Sequence, residues 1–156
     1  MEALQVIVTT LKCWTLVGTL AGYPIPPDKS MHRAHICVRI IAESESIGLD
    51  PTIPLAIGWL ESTYTDATGK PITTRSGRVV RASGPLQVLK FYHCRREPNC
   101  DTLKVGIDLL DRLITQHGPR KGIATYAGGY INPKSMRYSR RALRLRKKIK
   151  SFFRKI

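Results

Sequence analysis

The run Leu55-Ala56-Ile57-Gly58-Trp59-Leu60 constrains this chain most, because apolar residues go right round the cylinder that a helix here would form. A surface helix shows one apolar stripe; a helix apolar on every side must be buried and must exclude charge. The run nevertheless ends on Glu61-Ser62-Thr63-Tyr64, and a polar, basic stretch separates it from Ala82-Ser83-Gly84-Pro85-Leu86-Gln87. Glu61 is therefore a carboxylate at the carboxyl end of a buried helix. Loss of water and the negative end of the helix dipole both favour its neutral form. A carboxyl group kept protonated near neutral pH can give a proton to a leaving glycosidic oxygen. The plain alternative is a glutamate that reaches solvent at a frayed helix end.

A chain of 156 residues suffices for one domain with a real hydrophobic core. Its net charge of +15 points to a polyanionic partner: nucleic acid, an anionic membrane face or the acidic polymers of a bacterial wall. Residues 1–22 are apolar but interrupted by Glu2, Lys12 and several threonines, which suits a membrane span poorly. They read as an amphipathic helix packed on the domain, with a signal or anchor as the alternative, although Glu2 is at odds with the positive start of a signal. Tyr23-Pro24-Ile25-Pro26-Pro27 reads as a stiff linker that sets residues 1–30 apart.

Apolar Ile36, Ile40, Ile41 and Ile47 predict a helix over about Met31 to Ser46, stopped by Gly48, and Asp50-Pro51 forms a tight junction into the next helix. Between Ile72 and Val80, β-branched runs on either side of Ser76-Gly77 predict a hairpin carrying Arg75, Arg78 and, just beyond it, Arg81. Cys94 and Cys100 bracket a short loop that a disulfide can close, and Cys13 and Cys37 make the count even. His32, His35 and Cys37 share one helix, and His93, Cys94, Cys100 and His117 match no familiar zinc spacing, so no metal or other cofactor is expected. Asp101 or Thr102 caps a helix with the stripe Leu103, Ile107, Leu110, Leu113 and Ile114, ended by Gly118-Pro119. A short helix from Ile123 to Tyr126 then stops at Gly128-Gly129. No acidic residue follows Asp111, and nine of the positions from Arg140 to Ile156 are Lys or Arg. Ala142, Leu145, Ile149, Phe152 and Ile156 give this tail one apolar face, which suits either adsorption to an anionic surface or docking on the domain.

Taken in order and spacing, residues 36–130 resemble the soluble-type lytic transglycosylases, which share a lysozyme-like fold with goose-type lysozymes. The resemblance is carried by Ile47-Gly48-Leu49-Asp50-Pro51, by Glu61-Ser62, by Ser83-Gly84-Pro85-Leu86-Gln87, by the helix around Gly106 to Leu113, and by Ala124-Thr125-Tyr126-Ala127-Gly128-Gly129. It implies a mainly α (α+β) fold: a lysozyme-like domain over 31–133, with the hairpin as one wall of a cleft and its arginines facing peptidoglycan carboxylates. Residues 134–156 then form a basic amphipathic helix. The resemblance implies that Glu61 is the catalytic acid and base, and that Ser62, Ser83, Gln87 and Tyr126 bind substrate, Tyr126 having its hydroxyl near Glu61. Pro85-Leu86 replaces the family's usual Leu-Met, and Ala127 stands where Asn is common.

Such enzymes cut the β-1,4 bond between N-acetylmuramic acid and N-acetylglucosamine and leave 1,6-anhydromuramic ends. One carboxyl group suffices, because the muramoyl 6-hydroxyl replaces water as nucleophile. Asp66 is the one other acid between Glu61 and Gln87, and it suits a turn cap better than a second catalytic carboxylate. The expected partners are peptidoglycan strands, an anionic membrane or outer-membrane surface through residues 140–156, and proteins of a phage virion or secretion apparatus. The expected location is the periplasm, the cell envelope or a virion. Two alternatives remain: a lysozyme-type hydrolase that uses water, and a non-enzymatic basic module for nucleic acid or membrane. The module accounts for the charge but gives no reason for a buried Glu61.

Overall fold

The computed structural model describes residues 2–95 and 97–156. In chain order these form α1 (Glu2–Ala21), α2 (Pro27–Ser46), α3 (Thr52–Ser62), strands β1 (Thr68–Thr73), β2 (Val79–Ser83) and β3 (Val88–Leu89), then α4 (Lys90–His93), α5 (Thr102–Gly128) and α6 (Pro133–Lys155). The architecture is mainly helical, with one small antiparallel sheet in the order β1-β2-β3. Helix α3 is its axis. Every residue from Thr52 to Gly58 is buried, as a run apolar on all sides requires. Ile36 and Ile40 of α2, Leu103, Ile107 and Leu110 of α5, and Ala142 and Ile149 of α6 join it in one core.

The proline-rich stretch is a joint shorter than the expected linker. Helix α2 already starts at Pro27, whose fixed φ suits a first helical position, and the Ser30 N–H donates to the Pro26 carbonyl at 2.9 Å. Helix α1 lies against α2, with Cys13, Leu16 and Val17 buried and Cys13 bonded to Cys37. The second disulfide joins Cys94 to Cys100 (Cα–Cα 5.7 Å), as the short loop allows; Arg96 within that loop lies outside the described residues.

The hairpin forms where the β-branched runs place it. Thr73 pairs with Val79 and Ile72 with Val80, and the Gly77 N–H closes the turn on the Thr74 carbonyl at 2.9 Å. The chain then turns at Gly84 into β3, which pairs back on β2. Gly84 has φ +80, and a side chain there would collide with the Thr102 hydroxyl, so this turn sits directly on the start of α5. A Cβ at Gly106 would come within 2.9 Å of Leu86, so α5 also lies close against the 84–89 segment.

Two helical spans decide points that the sequence left to the packing. The span α5 is two helical segments that meet at Gly118-Pro119, where the sequence reading ends the first: Gly118 leaves helical geometry (φ 76, ψ 166), and the second segment packs back so closely that a Cβ at Gly122 would lie 2.8 Å from the Ile114 backbone. Helix α6 is docked, not free. Its Ala142 and Ile149 are fully buried, and Leu145, Phe152 and Phe153 pack on the core. Its Arg146 donates to the Asp50 carboxylate (2.6 Å) and the Thr52 hydroxyl (3.2 Å) at the start of α3. Of the two uses open to this apolar face, docking is the one that Ala142, Leu145, Ile149 and Phe152 take, while Ile156 stays exposed.

Candidate active site

Glu61 lies on the last turn of α3, and the chain is held there by strained backbone. Thr63 and Tyr64 follow with φ of 53° and 59°, left-handed conformations that cost about 1–3 kcal/mol each in non-glycine residues. What holds them is the Tyr64 side chain, fully buried, its hydroxyl donating to the Leu55 carbonyl at 2.9 Å and its ring edge-on to Trp59. Gln87 has the same left-handed backbone, with φ of 51°. Strain of this kind concentrates at functional sites.

Tyr138 of α6 brings the decisive contact: its hydroxyl donates a hydrogen bond to Glu61 Oε1. Burial raises the Glu61 pKa above the usual glutamate value, and the bond from Tyr138, which favours the anion, only partly offsets that rise. Tyr138 and Tyr126 are both held far above the ordinary phenol range, first by burial and then by the negative charge of Glu61. Both therefore remain protonated donors wherever the protein works.

The residues expected around Glu61 are brought together, with mostly internal roles. The Ser62 hydroxyl bridges to the Pro85 carbonyl (2.9 Å) and the Gly58 carbonyl (3.2 Å) and accepts the Thr65 N–H (3.0 Å), tying the helix end to the second segment. Tyr126 donates to the Leu86 carbonyl at 2.7 Å, so its hydroxyl is engaged there while the ring lies close enough to feel Glu61. Both amide protons of Gln87 are taken, by the Ala67 (2.7 Å) and Gly84 (2.9 Å) carbonyls, leaving Oε1 as its remaining polar group. Among the described residues, the buried Ser83 hydroxyl meets no hydrogen-bond partner, a rare condition for a buried polar group.

A cavity of about 290 Å³ opens beside Tyr138, lined by Ala127, Gly128, Tyr130, Asn132, Lys134 and Ser135. Tyr138, the residue that holds Glu61, is part of its wall. Asn132 is fixed there by a reciprocal cap: its side chain accepts the Ser135 N–H while Ser135 Oγ accepts the Asn132 N–H. Asp66 is largely exposed with its carboxylate 3.6 Å from His32, and among the described residues no hydrogen bond links it to Glu61 or the two tyrosines. Of the hairpin arginines, Arg78 stacks over Phe91 at 4.2 Å and Arg81 reaches the Gly69 carbonyl at 3.3 Å, while Arg75 is exposed.

Tyr138 is the site residue that the sequence reading missed. It stands in a stretch read for its charge. The Asn132-Pro133-Lys134-Ser135 helix start and the docked apolar stripe behind it are the signals that place it against α3.

Compared with protein-family models, curated proteins and solved structures, the chain matches none.

Proposed function

We propose that this protein is a lysozyme-like lytic transglycosylase of peptidoglycan. The observation that carries the reading is Glu61 itself: a carboxyl group at the end of a buried helix, its pKa raised by burial, and aimed by the Tyr138 hydroxyl. An amide at this point would fill the same space and accept from Tyr138 without the cost of desolvating a carboxylate, so the acid offers the fold nothing that Gln would not.

In this reading Glu61 first protonates the oxygen between N-acetylmuramic acid and N-acetylglucosamine. As the bond breaks, positive charge develops at the muramoyl anomeric carbon, and the Glu61 carboxylate now carries the compensating negative charge. It then takes the proton of the muramoyl 6-hydroxyl, whose oxygen closes on that carbon to give the 1,6-anhydro end. Tyr138 suits both halves, because its hydrogen bond stabilises the carboxylate formed in the first step and fixes the direction of the free oxygen. The Gln87 Oε1 and the unpartnered Ser83 hydroxyl are polar groups on the same turn, suited to the acetamido and hydroxyl groups of the sugars. The test is turbidity loss of a purified peptidoglycan suspension with the intact chain and with Glu61→Gln; a fully active, folded amide variant rejects the reading.

A further inference from the structure

Helix α1 has two apolar faces, and only one is used. Cys13, Leu16 and Val17 are buried against the body, while Leu4, Ile7, Leu11 and Trp14, spaced three and four apart, form a second stripe that is 68%, 57%, 54% and 42% exposed. The polar residues between the stripes are muted. Thr9, Thr10, Thr15 and Thr19 each donate their hydroxyl to the carbonyl four residues back, at 2.8–2.9 Å, so burying them elsewhere strands no donor. Between Ala3 and Ala21 the one charged side chain is Lys12.

Four observations select what covers this stripe. The segment Ala3–Ala21 is long and apolar enough to cross a bilayer by length and composition. Yet Cys13 is fully buried and bonded to Cys37 in the core, so the folded chain holds α1 along its surface rather than releasing it to span. A second copy is disfavoured by charge, since each chain carries +15. The cationic end of α6 lies beside α1: a cavity of about 240 Å³ is walled by Thr9 and Lys12 on one side and Phe153 on the other, and Lys150, Arg154 and Lys155 are exposed on those last turns. We propose that the outer face of α1, flanked by the cations of the α6 terminus, is a docking surface for an anionic lipid bilayer, on which the protein lies peripherally. Helix α1 supplies the insertion that the docked apolar stripe of α6 is unable to supply, and α6 supplies the charge. Nothing in this rests on the chemistry assigned to Glu61.

The experiment is co-sedimentation of the intact, oxidised chain with vesicles of phosphatidylcholine, with and without phosphatidylglycerol. Ile7→Ser/Leu11→Ser/Trp14→Ser, which alters exposed side chains only, should lower partition onto the anionic vesicles by about tenfold or more with an unchanged melting temperature. Lys150→Glu/Arg154→Glu/Lys155→Glu should remove the preference for phosphatidylglycerol. Brominated acyl chains should quench the fluorescence of the wild type but not of Trp14→Phe, whose remaining Trp59 is tucked against the core. Equal binding by the serine variant, or no quenching of Trp14, overturns the proposal. So does a wild-type dimer that the serine variant converts to monomer while vesicle binding persists, and so does wild-type protein that resists alkaline extraction from the vesicles, which marks a spanning helix.

Discussion

The hydroxyl of Tyr138 donates to the carboxylate of Glu61 across 77 residues of chain, joining the last helix to the end of the most buried one. Among the described residues, a group on α6 thus governs the one acid whose environment favours its neutral form. The helix most conspicuous for its charge is, at its first two turns, part of the site.

Replacing Glu61 by Gln should leave the fold intact and remove wall-lysing activity by about a hundredfold or more, since an amide fills the space and accepts from Tyr138 but transfers no proton. The same variant has a second signature. With its folded pKa raised above the ordinary 4.5, Glu61 contributes stability only while protonated, and that contribution is lost as pH climbs from the ordinary value through the folded one. Melting temperatures should fall across that window in the wild type by more than in Glu61→Gln. Parallel curves would place Glu61 in water.

Tyr138→Phe removes a hydrogen bond that lowers the Glu61 pKa. The alkaline limb of the pH–activity profile should therefore move to higher pH, with reduced turnover because the free oxygen is no longer aimed. Tyr126→Phe breaks the bond to the Leu86 carbonyl instead and should cost about 1 kcal/mol of stability, with a smaller movement of that limb. If the two variants shift the limb alike, Tyr138 has no special relation to the acid.

How far the sequence could be read follows from where its signals were local. The burial of α3 was legible because six apolar residues in succession leave a helix no polar face. The hairpin was legible because Ser76-Gly77 separates two β-branched runs, and the Cys94–Cys100 bridge because five residues bring the ends within reach. Glu61 stood out as the charge that such a helix should lack. Three features depended on distant partners. The tail's apolar face suited adsorption and docking alike, so neither the place of Ala142 and Ile149 in the core nor, with it, the reach of Tyr138 to Glu61 was decided by the local pattern. Gln87 and Tyr126 were read as sugar ligands, yet their donors are spent on the backbone carbonyls of Ala67, Gly84 and Leu86, acceptors that no pattern of side chains reveals. The Cys13–Cys37 pairing, across two helices, likewise needed the packing to be known.

Digestion of purified peptidoglycan should release muropeptides ending in 1,6-anhydro-N-acetylmuramic acid. Mass spectrometry distinguishes these from reducing ends, which are heavier by one water. Reducing ends would mean that water attacks the anomeric carbon and would require a second group to activate it. Asp66→Asn would then be the next variant to make, and on the ring-closure reading that substitution leaves turnover nearly unchanged.

The attachment of α6 should itself depend on acid. Burial alone would raise the Asp50 pKa, but hydrogen bonds from the Thr52 side chain, from Arg146 and from the Thr52 backbone, with the charge of Arg146, outweigh it and hold the carboxyl below its ordinary 3.8. A depressed carboxyl contributes stability that is fully present above the unfolded value and is lost as pH falls through the folded one, so the contribution should persist near neutrality and fade below about pH 4. Arg146→Ala should cost about 1–3 kcal/mol in urea unfolding at neutral pH, because it strands a partly buried carboxylate and strips the packing of the arginine stem from α3. Arg146→Met keeps the stem and should cost less. The difference between wild type and Arg146→Met should shrink as the pH is lowered and Asp50 is neutralised. Because loosening α6 also draws Tyr138 from Glu61, Arg146→Ala should lower turnover on short glycan fragments that make no use of a membrane. Fragment turnover equal to that of the wild type, in a variant measurably less stable, would show that the site is indifferent to how the rest of α6 is held.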